Sequence, residues 1–441
     1  MKTKISIEDI LRNLNIKELN EMQVASIEAS VNNDNIILLS NTGSGKTLAF
    51  LIPLIERFEL ENKGTQALII VPSRELAQQI EKVFKSMGTG FKITSCYGGH
   101  KREIEENNLI QAPKLIVGTP GRLADHIRRN NIDINSIENI ILDEFDKTLE
   151  LGFTEEVSFI IEELKNVKKR MFTSATKGLA LPAFFKVENP LEINFINDDE
   201  ISEEKLLVKI IRSNDVDKIE ALFQTICFYG GQSTIVFCNH RESVERVSQM
   251  LADKGVANEF YHGSMEQHER DSALCKFRNG SNDILITTDL ASRGLDIPNI
   301  RFIIHYHLPN TEDIYTHRNG RTARMTSSGT VLMILSAEEN LPSYITETPE
   351  TIEIHQGYPL PEKTKWSTLF LSAGKKDKIN KVDIVGFFSK VGELKKDDIG
   401  LIDVKDFASF VAIRKSKVGN VIEKIKDQRV KNKKVKIELA R

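Results

Sequence analysis

No apolar run in the 441 residues approaches the roughly 20 that a membrane-spanning helix needs. The opening stretch, MKTKISIEDILRNL, breaks its apolar positions with Glu8, Asp9 and Arg12, which argues against a secretory leader. Four cysteines (Cys96, Cys227, Cys238, Cys275) show neither CxxC spacing nor a paired framework. They read as small hydrophobes in a reducing compartment, so a cytoplasmic protein that touches no membrane is expected. Net charge is also scarce, only −3. That near-balance hides an asymmetry. Residues 366–441 hold 19 Lys/Arg against 10 Asp/Glu, and the rest of the chain holds 41 against 53. A tail at +9 on a body at −12 suggests a polyanionic partner for the tail, although a lysine-rich solvated surface accounts for the charge equally well.

With 40% hydrophobic and 28% charged residues the composition is that of a globular chain, and the length predicts two or three domains. Short β-rich runs (NIILLS, ALIIVP, KLIVGT, NIILDE, RMFTSAT) alternate with helical patterns, as parallel βαβ units do. An acidic segment at 197–205 interrupts them as a candidate linker. The pattern resumes with STIVFCN, ANEFYHG, DILITTD, RFIIHYH and TVLMIL, without a close repeat of the first half. Residues 339–365 carry four prolines and read as an irregular connector. The remainder predicts strand 367–372, helix 379–391, strands near 399–404 and 408–414, helix 418–427 and strand 434–439. That order, βαββαβ, suits a small ferredoxin-like domain.

Three stretches carry chemistry. LLSNTGSGKTLAF sets Asn41, Thr42, Gly43, Ser44, Gly45, Lys46 and Thr47 between an apolar strand and a helix. Small residues let backbone N–H groups approach phosphate oxygens, Lys46 reaches the outer phosphates and the Thr47 hydroxyl ligates Mg²⁺. The usual motif has a glycine where Ser40 stands, and a flexible glycine turn is the alternative. LDEFDKTLELGF ends a strand with Asp143 and Glu144, placed to hold Mg²⁺ and to polarise an attacking water; acids that merely start a helix are the alternative. YTHRNGRTAR (315–324) carries Arg318, Arg321 and Arg324, which can stabilise charge on a transferring phosphate or form an exposed basic turn.

In order along the chain, SNTGSGKT, PSRELA (72–77), TPGR (119–122), DEFD, SAT (174–176), IVFCN (235–239), Gln267 with Arg270, TTDLASRGLDIP (287–298) and HRNGRTAR resemble the motifs of the DEAD-box ATP-dependent RNA helicases. The resemblance covers residues from about 15 to 340. It implies two tandem RecA-like P-loop NTPase domains, at 1–196 and 206–338, that hydrolyse ATP with Mg²⁺ on binding RNA. Gln23 then matches the adenine-reading glutamine and Asp296 a residue near the ribose. Asp146, Ser174, Thr176 and His317 match the set that couples hydrolysis to domain closure, and Arg321 and Arg324 match the arginine fingers. Arg74, Gly98, Gly99, Thr119, Arg122, Gln267, Arg270, Thr288 and Arg293 match the RNA path, which holds backbone and gives affinity without sequence choice.

Departures from the family pattern are Phe145 in place of alanine, Asn20 where Thr or Ser precedes the glutamine, no aromatic before Phe50, and His307 in place of an aspartate. Phe145 is expected to point into packing and leave the ATPase live. Residues 366–441 resemble the RNA-recognition-like (RRM-like) domain that ends the DbpA-type members of the family. That implies targeting to 23S rRNA in the pre-ribosomal large subunit, by a monomer, with ribosome biogenesis as the process. LFLSAG places Phe370 where a base stacks, whereas FASFVAI has Ile413 in place of an aromatic. Phe370, Phe407 and Phe410 can equally be core, and Lys375, Lys376 and Lys378 offer basic contacts instead. A protein-docking tail and an ATP-gated RNA clamp that does not unwind are the rival expectations.

Overall fold

A computed structural model of the protein describes residues 5–41, 43–176, 181–196, 206–289, 300–322, 329–346, 348–426 and 428–440. They fall into two compact units, one ending at Ile196 and the other beginning at Leu206.

In the first unit, strands β1 (Asn35–Ser40), β2 (Ala67–Ile70), β3 (Ile93–Cys96), β4 (Leu115–Gly118), β5 (Asn139–Leu142), β6 (Lys169–Ser174) and β7 (Leu191–Phe195) form one parallel sheet, ordered β3-β4-β2-β5-β6-β1-β7. Alternation along each strand divides the core between the two faces. Ile36, Ile69, Val117 and Ile141 enter one cluster; Ile37, Leu39, Ile70, Ile116 and Leu142 enter the other. A sheet covered on both faces requires strands that are apolar throughout, which is why β1, β2, β4 and β5 stand out as unbroken runs. The helix Arg74–Ser86 begins at Ser73, whose hydroxyl accepts from the Leu76 N–H at 3.2 Å.

The second unit contains β8 (Leu206–Arg212), β9 (Thr234–Phe237), β10 (Glu259–Tyr261), β11 (Ile284–Thr287), β12 (Phe302–His305), β13 (Gly329–Leu335) and β14 (Glu350–Ile352). They also form a parallel sheet, ordered β10-β11-β9-β12-β13-β8-β14. Four strands escape the sequence pattern: β3, β7, β8 and β14. Edge strands have one free side and tolerate polar letters, as in LEINF of β7. The connector 339–365 is not wholly irregular: Glu350 pairs with Lys209, and β14 extends the sheet.

The C-terminal part of this unit contains β15 (Trp366–Leu371), β16 (Ile399–Val404), β17 (Ser409–Arg414), a small hairpin β18 (Arg429–Val430) and β19 (Lys433–Lys434), and β20 (Ile437–Leu439). Its antiparallel sheet is ordered β16-β17-β15-β20. The helices Lys381–Lys390 and Val418–Ile425 supply the expected βαββαβ order, and Asn380 starts the first of them with a capping box to Asp383. Leu369 and Leu371 face the core beneath these helices. The opposite face, with Thr368, Phe370, Asp403 and Phe410, meets the end of the helix Gln267–Arg278. There the Asn279 amide donates to the Thr368 hydroxyl at 2.8 Å, and the Cys275 thiol donates to Asp403 at 3.5 Å. Phe410 is only 3% exposed and Phe370 is half-buried, so of the two readings left open for these rings Phe410 takes the packed one, whereas Phe407 is exposed.

Lys405 completes this contact, 3.1 Å from Asp403 and 3.6 Å from Asp271. Burial alone would push its ammonium pKa down; the two carboxylates override that and hold it up. Lys405→Met leaves two like charges facing each other, at a cost of about 1–2 kcal/mol for partly exposed groups. Amide hydrogen exchange in Gln267–Arg278 should then rise about tenfold, with Val418–Ile425 unaffected. Unchanged exchange in Gln267–Arg278 would mean that the ion pairs do not hold the contact.

Candidate functional site

The loop after β1 and the start of the helix Lys46–Arg57 form a cradle of backbone. Gly43 and Gly45 have φ of 85° and 93°, a region that side-chain-bearing residues rarely adopt. At Gly45 the space is closed as well, because a Cβ would lie 2.5 Å from the Gln23 amide nitrogen. Ser40, by contrast, is the last residue of β1 and keeps strand geometry, so the glycine of the usual motif is not required there. Lys46 turns its ammonium back onto the loop, donating to the Asn41 carbonyl at 3.2 Å and to that of Ser40.

Asn20 caps the helix Glu21–Asn32 and ties that helix to the loop. Its amide donates to the Ser44 carbonyl at 2.8 Å, and that of Gln23 donates to the Gly45 carbonyl at 3.1 Å. Asparagine therefore does the capping work of a Ser or Thr and adds a second bond to the loop. Both halves of the Gln23 amide are engaged, since its oxygen accepts from the Asn20 N–H at 3.0 Å.

Asp143 and Glu144 follow β5, at the same carboxyl-end edge of the sheet as the loop. Asp143 is buried and accepts from the Thr173 hydroxyl at 2.5 Å. Burial raises its carboxyl pKa; Thr173 and the Lys46 charge work against that, and Asp146 adds to it. A buried acid in that condition, together with the Thr47 hydroxyl, is a set of hard oxygen donors that fits Mg²⁺. Glu144 sits in the left-handed region at φ 52°, a cost of about 1 kcal/mol that folded proteins carry mainly at functional sites. Asp146 accepts from the Thr176 hydroxyl at 3.0 Å, and the Thr176 N–H donates to Ser174 Oγ at 2.9 Å. Asp146, Ser174 and Thr176 thus form one linked group. Phe145 lies 1% exposed in the core, edge-on to Phe172 at 5.9 Å, and Phe172 meets Phe185 in the same way at 4.9 Å. Its ring belongs to the apolar cluster on one face of the sheet, with Leu142, Phe172 and Phe185.

Arg74, Gly98, Gly99, Thr119 and Arg122 lie in loops or first helical turns after β2, β3 and β4, at that same edge. The Arg74 guanidinium runs so close over Gly99 that a Cβ there would lie 2.0 Å from it. In the second unit, Arg270 donates to the Gln267 side chain at 2.9 Å, Thr288 follows β11, and His317 and Arg321 are buried. Thr42, Arg293, Asp296 and Arg324 lie outside the described residues. Lys375, Lys376 and Lys378 are exposed on the turn after β15.

Arg318 is neither an exposed basic turn nor open to a phosphate, because partners to which sequence reasoning assigned no role surround it: Asp289, Asn239 and His305. This side chain is fully buried and donates to Asp289 at 2.5 Å, to the His307 carbonyl at 2.8 Å and to Asn239 at 2.8 Å. His305 Nδ1 faces it at 3.5 Å, while Nε2 meets the Asn319 oxygen at 2.9 Å. Burial, and then the Arg318 charge, lower the His305 pKa to about 3. His307 is lowered to about 4 by burial and then by Lys218, so neither histidine brings a cation to the aspartate position. The one visible signal was a histidine inside the apolar run RFIIHYH.

Phe145→Ala should cost about 3–5 kcal/mol in urea unfolding of the first unit, the loss typical of a buried ring; a change below about 1 kcal/mol would contradict the packing. The second unit is sensitive to mild acid. The unfolded chain takes up protons on His305 and His307 near pH 6.5, and the folded one only near 3 and 4, so stability falls as pH drops through that interval. His305→Asn should flatten the fall in thermal midpoint between about pH 6.5 and 5, and an equally steep fall would sink the assignment.

Comparison with known proteins agrees across the whole length. Residues 20–180 match the DEAD/DEAH box helicase family, 217–326 the helicase conserved C-terminal domain and 368–439 the DbpA RNA binding domain. The ATP-dependent RNA helicase DbpA of Bacillus subtilis (strain 168) is 31% identical over 98% of this chain and 97% of its own. DbpA of Escherichia coli (strain K12) is 28% identical over 99% of both. Dbp5 of S. cerevisiae bound to RNA and ADP BeF3 is 25% identical with a TM-score of 0.69, covering 78% of this chain and 93% of that one. Mss116 bound to ssRNA and UDP-BeF, at 23% identity and a TM-score of 0.69, shares the fold over 80% of this chain and 78% of its own. No helix among the described residues is long and apolar enough to cross a membrane. Two RecA-like sheets, the phosphate loop with its acidic strand end, and a third domain of DbpA type make this chain a member of the DEAD-box ATP-dependent RNA helicases, an RNA-stimulated ATPase that carries a DbpA-type RNA-binding domain.

Proposed function

We propose that this helicase acts on 23S rRNA during assembly of the large ribosomal subunit, as a cytoplasmic monomer. The observation that carries the reading is the third domain, which bears a net +9 and matches the DbpA RNA binding domain. With its sheet face packed against Gln267–Arg278, the RNA contacts fall to exposed lysines such as Lys375, Lys376 and Lys378. Such contacts weaken steeply as salt rises.

In the same reading, the backbone from Asn41 to Gly45 and the Lys46 ammonium bind the ATP phosphates, with Gln23 at the adenine and Asp296 near the ribose. Thr47 and Asp143 hold Mg²⁺, which when bound neutralises charge on the phosphate oxygens. Glu144 polarises the attacking water, held toward it by the turn that its φ creates. Arg321 and Arg324 serve the charge that develops on the transferred phosphate. Asp146, Ser174, Thr176 and His317 transmit the state of the nucleotide, and the RNA path runs over Arg74, Gly98, Gly99, Thr119, Arg122, Gln267, Arg270, Thr288 and Arg293.

The test is steady-state ATP hydrolysis with no RNA, with unstructured RNA and with 23S rRNA, beside Lys46→Ala and Glu144→Gln. The expected outcome is strong stimulation by 23S rRNA alone, and at least a hundredfold loss in both variants. Equal stimulation by any RNA would overturn the ribosomal target. A strand-displacement assay in which ATP promotes binding but no strand is released would favour the clamp.

A further inference from the structure

Glu105 lies on the helix Arg102–Leu109, outside every motif, and is 1% exposed. Its carboxylate gathers four donors from two segments, the loop after β3 and the helix Pro120–Arg128. Oε1 accepts from the Tyr97 N–H at 2.9 Å and from His100 Nε2 at 2.9 Å. Oε2 accepts from Arg122 Nη1 at 2.9 Å and from His126 Nε2 at 2.6 Å. Arg122 Nη2 in turn donates to the His100 carbonyl at 3.3 Å. Tyr97 and His100 flank Gly98 and Gly99, so one buried anion pins both ends of the glycine loop and the fork of Arg122.

The partners hold this carboxyl in its ionised form. Burial by itself would raise the Glu105 pKa, but His100, His126, the Tyr97 N–H and Arg122 together bring it down to about 2. The tautomer of His126 is set as well. Asn131 Nδ2 donates to His126 Nδ1 at 3.1 Å, which leaves the proton on Nε2, and Glu105 accepts that N–H. Cys96, Glu105 and His126 offer donor atoms within 4.8 Å of one another, yet they make no cation site. Both carboxylate oxygens are taken by donors, one of them a guanidinium, and burial keeps the Cys96 thiol protonated.

We propose that Glu105 is a positioning residue for RNA: it touches no RNA itself, and it holds Arg122 and the Gly98–Gly99 loop in the arrangement that takes the sugar–phosphate backbone. The proposal rests on the RNA path given above. An arginine side chain free in solvent loses rotamer entropy when a phosphate fixes it. Arg122 has already lost that freedom in the folded state, because its fork is tied at two points and its side chain retains 15% exposure. The same bonds stop the two-glycine loop, which has no side chains of its own, from wandering.

The experiment is a double-mutant cycle on the full chain, with Glu105→Gln, Arg122→Ala and the pair. It is read by fluorescence anisotropy of a labelled oligouridylate in the presence of a non-hydrolysable ATP analogue, across a salt series. Glu105→Gln should weaken RNA binding about tenfold. The slope of log K against log salt should become shallower by about 0.7, one phosphate contact on a single strand. The affinity of Glu105→Gln for a fluorescent ATP analogue, taken without RNA, should match that of the parent. The double variant should lose clearly less than the product of the two single losses, because part of the Glu105 effect passes through Arg122.

Multiplying effects in the double variant, an unchanged slope in Glu105→Gln, or ATP affinity falling in step with RNA affinity would each overturn the proposal and leave Glu105 a structural residue. Where Glu105→Gln does not fold, Glu105→Asp keeps the charge but draws it back by one methylene, and it must still weaken RNA binding; parental binding would overturn the proposal. Parental RNA affinity and slope in Arg122→Ala would show instead that the RNA path itself is misassigned.

Discussion

Parallel strands deliver all their carboxyl ends to one edge of a sheet, and the chemistry of the first unit depends on that constraint. The loop after β1, Arg74 after β2, the glycine pair after β3, Thr119 and Arg122 after β4, Asp143 and Glu144 after β5, and Ser174 at the end of β6 all emerge there. They are scattered over more than 130 residues of chain, and sheet order alone makes them neighbours along one edge. The strands can be apolar throughout because helices cover both faces, so the polar residues collect in the loops.

Buried charge is the second theme. Glu105 in the first unit and Arg318 in the second are 1% and 0% exposed, and each has its bonding capacity met by several partners. A desolvated ion left alone would cost several kcal/mol, and one that is fully satisfied becomes a rigid joint between segments far apart in sequence. Glu105 joins the loop after β3 to the helix after β4. Arg318 joins the helix Glu312–Asn319 to the loops after β9, β11 and β12. The departures from the family pattern fit this picture. His307 is neutral and offers its carbonyl to Arg318, and Phe145 fills space behind the acids.

Much of the fold was legible because its signals are local. Short β-rich runs marked ten of the fourteen strands of the two parallel sheets, and SNTGSGKT announced its loop through glycines whose φ other residues rarely adopt. The strands that were missed are β3, β7, β8 and β14, which lie at or beside sheet edges, where burial on one side is incomplete and polar letters survive. The role of Phe410 was also out of reach. An aromatic in β17 can stack on a base or on protein, and only the arrival of Gln267–Arg278 on that face selects between them.

The sequence by itself determined the alternation of inner strands with helices, the phosphate loop, the acidic strand end and the basic third domain, since each depends on residues close together in the chain. Tertiary structure alone decided which polar side chains share a proton or a charge. Glu105 meets His126 across 21 residues, Arg318 meets Asn239 across 79, and Asn279 meets Thr368 across 89. Hydrogen bonds reach only about 3 Å, so no pattern along the chain records them until the sheets have brought their ends together.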